Sequence, residues 1–214
     1  MKDFVWKLLK DYKLNEKEIG EFAKIDQNGM HFKIRVFDVE KVGNLSIVEM
    51  RAMLGLMKME TIVLTPLELD MPLLSYDGIK AMGNDTLLLE LYDTQIQPYD
   101  CSEFAAIKAK YVDLPDRKTE PRWYDPLHLP GTLSKKGRKI SASLEELEKE
   151  FFTAYIRSIP DARPCDREQK QARVYDYVDK LVKQGGPAID QFKKMIGPEK
   201  AALLFKRYIF GAED

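Results

Sequence analysis

The chain predicts an α+β fold, with an antiparallel sheet of about six strands first and helices mostly in the C-terminal half, packed on one or both faces of the sheet. Three observations carry this. Between about residues 21 and 96, short apolar or alternating runs follow one another with only tight-turn signals between them, leaving no room for the crossover helices that parallel neighbours need. Beyond residue 101, apolar residues recur at helical spacing. At 214 residues the chain is long enough to bury a substantial core, and it is read as one domain over 1–214.

The first segment, "MKDFVWKLLKDYK", puts Val5, Leu8, Leu9 and Tyr12 at i, i+3, i+4 and i+7, one face of a short helix. "GEFAKID", "HFKIRVFDVE", "LSIVEMRAMLG", "KMETIVLT", "PLLSYDGIKAMG" and "DTLLLELYDTQ" are the strand candidates, separated by "QNG", "VGN", "TP" and "GND". "SEFAAIKAKYVDL" reads as a serine-capped helix. "SASLEELEKEFFTAYIRSI" aligns Leu144, Leu147, Phe151 and Tyr155, and "DREQKQARVYDYVDKLVKQGG" stops at glycines. The tail "PAIDQFKKMIGPEKAALLFKRYIF" contains two helices split at Gly197 and Pro198. Residues 115–139, "PDRKTEPRWYDPLHLPGTLSKKGRK", form a polar, proline-rich loop that is either mobile or wraps a site; Trp123, Tyr124 and His128 are expensive residues for a mere linker.

Composition excludes more than it selects. With 34 basic and 35 acidic residues, charge gives no push toward nucleic acid or a membrane surface. No segment resembles a signal peptide or a membrane span, so cytoplasm is the expected compartment. Cys101 and Cys165 stand far apart, without the spacing of a redox pair or zinc cluster, and two histidines offer little for a metal site. No dinucleotide fingerprint, phosphate loop or nucleophile elbow is present. An enzyme with this sequence has a cofactor that is unusual, external or supplied by its substrate.

The string "DMPLLSYD", Asp70 to Asp77, followed by "LLLELYDT", resembles the ferredoxin-dependent bilin reductases and red chlorophyll catabolite reductases. "EKVGNLSIVEMRAMLG" and "TIVLTP" before it, and "FKKMIGPEKAALLFKRYIF" at the far end, are similar to segments of that family in the same order. The resemblance implies a three-layer α/β/α sandwich, a linear tetrapyrrole as substrate or ligand, and electrons from reduced ferredoxin with no bound cofactor. It also implies that Asp77 is a catalytic proton donor. A family histidine on the preceding strand falls at Glu60, and a second family aspartate falls at Gly185 or Gly186, flanked by Asp179 and Asp190. Loss of that aspartate leaves open a protein that binds a tetrapyrrole without reducing it, or one that keeps only the scaffold.

Strand alternation puts Leu73, Ser75, Asp77 and Ile79 on one face, and Leu74, Tyr76 and Gly78 on the other. A covered Asp77 would hold a proton near neutrality, whereas a carboxylate bonded to backbone at a bulge near Gly78 would be structural. Glu60 shares a face with Ile62 and Leu64 and approaches Asp77 if the register allows. His128 is either a turn residue or a proton donor in a lid. Met50, Met53, Met57, Met59 and Met71 suit adaptable pocket walls, with Ser75 facing the same space. Arg51, Lys135, Lys136 and Arg138 are the expected partners of the pigment's propionates, the loop cations serving equally to dock an acidic ferredoxin.

Overall fold

The computed structural model describes residues 1–213. Its centre is an eight-stranded antiparallel sheet. The strands are β1 (Leu14–Glu16), β2 (Lys24–Gln27), β3 (Met30–Val39), β4 (Gly43–Ala52), β5 (Met57–Pro66), β6 (Leu73–Ala81), β7 (Asn84–Tyr92) and β8 (Leu133–Gly137). They run in the order β1-β3-β4-β5-β6-β7-β8, with β2 also paired to β3. Five of the six predicted strands, β3 to β7, form the body of this meander; the first, "GEFAKID", is instead a 3-10 turn (Gly20–Ala23) followed by the four-residue β2, which pairs only with β3. The two additional strands are short edges: β1 lacks apolar alternation, and β8, "LSKKG", is hidden in the segment read as a loop.

Helices cover both faces. α1 (Lys2–Leu8), α2 (Ser102–Lys110) and α3 (Ser141–Arg157) pack on one, whereas α4 (Arg167–Gln184), α5 (Pro187–Ile196) and α6 (Pro198–Leu203), continued by a π-helical stretch Leu204–Ile209, pack on the other. The architecture is therefore an α/β/α sandwich with two separate cores. Along β6, Leu74 and Tyr76 join the α3 core while Leu73 joins the α4 core, the period-2 alternation of a strand buried on both sides. α1 ends before Tyr12, and Ser102 does not cap α2: its N–H is instead held by Asp100 at 2.9 Å. α4 ends at Gly185 (φ 89) and α5 at Gly197 (φ 87), where the left-handed region favours glycine. The turn from β6 to β7 places Met82 and Gly83 at φ 51 and 77, the pair of positive angles that a two-residue hairpin needs.

The start of β6 is clamped from both faces. On the α3 side, the Tyr155 hydroxyl donates to Pro72 O at 2.6 Å. On the α4 side, the fully buried Lys170 donates through Nζ to Met71 O (2.5 Å), Thr94 O (2.8 Å) and Thr94 Oγ1 (3.3 Å). Asp70 adds a third tie, its carboxylate accepting from the N–H groups of Ile96 (2.5 Å) and Gln97 (3.0 Å). The "DMP" triplet thus locks the chain before β6 to the chain after β7. Burial pushes the Lys170 amine down to about 8, yet it remains the donor that satisfies three buried oxygens. Lys170→Met should cost about 2–4 kcal/mol in urea unfolding, because two carbonyls lose their partner; a loss below about 1 kcal/mol would show that the clamp is dispensable.

Candidate functional site

A cleft of about 360 Å³ lies between the sheet and the α4–α6 layer. Its floor is the face of β3 to β7 that carries Phe32, Met50, Met59, Thr61, Asp77 and Glu90. Leu181, Ile189, Phe192, Phe205 and Phe210 form the roof, and Arg117, Arg122 and Tyr124 stand along one side. The volume and the mostly apolar lining with a few convergent polar groups are those of a small-molecule site.

Asp77 sits on β6, between β5 and β7 in this floor. The register pairs it with Thr61 on β5 and Leu88 on β7, without a bulge. The Thr61 hydroxyl donates a short hydrogen bond to Asp77 Oδ1. The side chain is half-buried and lines the cleft. Burial therefore pushes it above the ordinary aspartate range, against the opposing pull of Thr61 and the Arg117 guanidinium. A backbone-bonded structural carboxylate is not what the structure shows. Gly78 has a different reason: a Cβ there would collide with the Tyr76 hydroxyl on the far face.

Glu90 is the second acid of the floor. It lies opposite Ser75 in the register and so shares a face with Asp77 as a diagonal neighbour. Burial first, and the charge of Asp77 second, push it up to about 7. Tyr92 donates to Glu90 Oε2 at 2.8 Å, and the Tyr92 ring packs on Tyr177 at 4.6 Å. A strand reading of "LLLELYD" marks Glu90 as the lone acid on an aliphatic run, the same signal that singles out Asp77.

Several expected site residues lie elsewhere. Glu60 does not approach Asp77; it pairs with Gly78 and Glu49 in the register, on the opposite face, where Oε1 accepts from Lys2 N at 2.9 Å. Arg51, next to Met50, alternates to that same far face and is exposed. Lys135 is buried outside the cleft, bonded to Leu114 O (2.9 Å) and Asp116 (2.8 Å). Lys136 and Arg138 are exposed and line no part of the cleft. Met50, Met57, Met59 and Ser75 line it; Met53 is exposed at a hairpin tip, and Met71 is buried in the α3-side core. His128 stands beside the floor, its ring 4.9 Å from Tyr92 and Nε2 3.9 Å from Glu90 Oε1. Burial holds it below the usual histidine range.

The cations at the cleft are Arg117 and Arg122, from the segment 115–139, which wraps the site before ending in β8. Arg122 donates a short bond to the Tyr124 hydroxyl, and neither guanidinium makes an ion pair among the described residues. Trp123 anchors this wrap by donating to Gly185 O at 2.8 Å. On the helical side, Gly186 lines the cleft and no acid does: Asp190 turns back to accept from Gly186 N–H at 3.1 Å, and Asp179 pairs with Lys183 (2.6 Å) and Lys206 (2.9 Å). Among the described residues no group of histidine, cysteine and carboxylate side chains is placed to hold a metal, and no helix is long and apolar enough to cross a membrane.

These features define a class: an α/β/α sandwich with a mostly apolar cleft between its sheet and its C-terminal helices, acids on the floor and guanidinium groups at the side. A solved structure with this fold is phytochromobilin synthase from tomato in complex with biliverdin, which superposes with a TM-score of 0.76 over 99% of this chain and 81% of that one, at 13% sequence identity. The likeness at that identity is one of fold. No protein-family model and no curated protein sequence matches the chain.

The raised Glu90 makes stability depend on pH. The folded state keeps a proton that the unfolded chain releases above the ordinary value of 4.5, so this contribution is lost as pH rises through about 7. Glu90→Gln should make the ligand-free protein more stable than wild type at pH 8, on the order of 2 kcal/mol, and equal to it near pH 4.5 by chemical denaturation. An unchanged difference across that range would contradict the burial of this carboxyl.

Proposed function

We propose that residues 1–214 act as one domain that reduces a bilin or related linear tetrapyrrole, with electrons taken one at a time from reduced ferredoxin and Asp77 as a proton donor. The observation that carries this reading is a carboxyl whose proton affinity is raised by burial in the floor of a mostly apolar cleft, on a fold shared with a synthase solved with biliverdin. Conjugated rings would lie between the methionines of the sheet and the aromatic residues of the roof, excluding water from the reacting carbons. Arg117 and Arg122, which make no salt bridge among the described residues, suit two propionates.

Thr61 occupies Oδ1 of Asp77 and leaves Oδ2 to carry the proton toward the pigment. Because electrons come from outside, the chain needs no nucleotide cradle, and its task is to hold the pigment and supply protons. Lys136 and Arg138, exposed at the end of β8 and without ion pairs among the described residues, suit an acidic iron–sulfur partner. A second reading, tetrapyrrole binding without reduction, is favoured by one observation: the helical side of the cleft presents Gly186 where the family resemblance expects an acid.

Titration of the purified protein with biliverdin should give a red or far-red absorbance shift that saturates at one pigment per chain. Anaerobic addition of ferredoxin, its reductase and NADPH should then yield a two-electron product; binding without product would select the second reading, and no binding would remove both for this pigment. Arg117→Ala and Arg122→Ala should each weaken binding about 10-fold, or about 1.4 kcal/mol. Asp77→Asn should bind biliverdin as wild type does and lose at least 100-fold in product formation.

A further inference from the structure

Resting on the reductase reading above, we infer that Glu90 is the second proton-donating acid of this cleft, and that His128 returns its proton. Reduction of one carbon–carbon double bond to CH–CH consumes two electrons, supplied singly by the iron–sulfur donor, and two protons. Asp77 accounts for one proton. The roof provides no acid for the other, since Asp179 and Asp190 are engaged away from the cleft. The remaining carboxyl that faces the same space is Glu90, one strand over from Asp77 and diagonal to it. Two acids so placed reach different atoms of a flat ligand lying across β6 and β7.

The surroundings of Glu90 separate its two oxygens. Oε2 accepts from Tyr92. Oε1 faces His128 Nε2, a buried nitrogen with no hydrogen-bond partner, across 3.9 Å. An unpartnered buried nitrogen is costly to keep, and closing the 3.9 Å gap to the neighbouring carboxyl would remove that cost by a hydrogen bond. The His128 side chain is 18% exposed, so the ring joins Glu90 to the outer surface of the wrapping segment. Glu90 is also faced by Asp77 from β6, Arg117, Arg122 and Tyr124 from the wrapping segment, and Tyr177 from α4. The arginines favour its ionised form. Propionates that neutralise them would tighten its hold on the proton, so that ligand binding itself loads the donor.

The test compares wild type, Glu90→Gln, Glu90→Asp and Asp77→Asn in the anaerobic ferredoxin assay, with pigment binding followed by absorbance. Glu90→Gln should bind biliverdin within about threefold of wild type, accept the first electron, and accumulate a one-electron-reduced pigment radical seen by electron paramagnetic resonance. Its product formation should fall at least 30-fold and lose the loss of rate that wild type shows as pH rises through neutrality, while Glu90→Asp recovers part of both. Biliverdin binding at pH 7.5 in weak buffer should take up protons in wild type and less in Glu90→Gln. His128→Gln should leave the first turnover intact and slow later ones. Product formation by Glu90→Gln within twofold of wild type, with the same pH profile, would overturn the assignment. If wild type binds or reduces no pigment, the reductase reading fails first and this inference with it.

Discussion

The buried Lys170 ammonium, donating at once to Met71 O and Thr94 O, governs how the rest of this molecule is arranged. It joins α4, the chain leading into β6 and the chain leaving β7, while Tyr155 holds the adjacent Pro72 carbonyl from the opposite layer. A strand held at its start from both faces cannot slip by one residue without breaking these bonds, and a one-residue slip would move Asp77 from the cleft to the far face. The clamp therefore sets which side chains the cleft receives. Three buried oxygens satisfied by one amine offset the desolvation that such a cation suffers.

Alternation then sorts chemistry between the two faces of the sheet. Thr61, Asp77 and Glu90 go to the α4 side with the methionines, whereas Glu60, Tyr76 and Arg51 go to the α3 side. The far face has a polar cleft of its own, where burial pushes Glu148 of α3 up to about 7 beside the Tyr76 hydroxyl. One sheet thus separates two groups of acids by its own thickness. Side chains one residue apart in sequence, Glu60 and Thr61 or Tyr76 and Asp77, end in unrelated environments.

Within the cleft, charge is arranged by distance from water. Asp77 and Glu90 lie on the floor, where burial disfavours the ionised carboxyl, and the charge of Asp77 raises Glu90 further. The guanidinium groups of Arg117 and Arg122 stand at the side, half-buried, where a hydrated or ligand-bound cation is tolerable. The wrap that carries them is held by Trp123 on Gly185 O and by β8 pairing with β7. A polar, proline-rich segment becomes the ordered wall of a site because its backbone finds partners on both sides.

Sequence alone determined the five long strands, the order of helices, the face on which Asp77 lies and the acid-in-apolar-strand signal at that position, because these follow from periodicity within one segment. The same signal is present at Glu90 in "LLLELYD". Only the tertiary structure decided that Thr61 rather than Glu60 meets Asp77, since register between strands is set by turns and clamps that no single strand contains. It alone assigned the cations, taking Arg117 and Arg122 in place of Arg51, Lys135, Lys136 and Arg138. Local spacing says which residues share a face, whereas the partner across a cleft depends on how distant segments return, and that information lies in packing between elements.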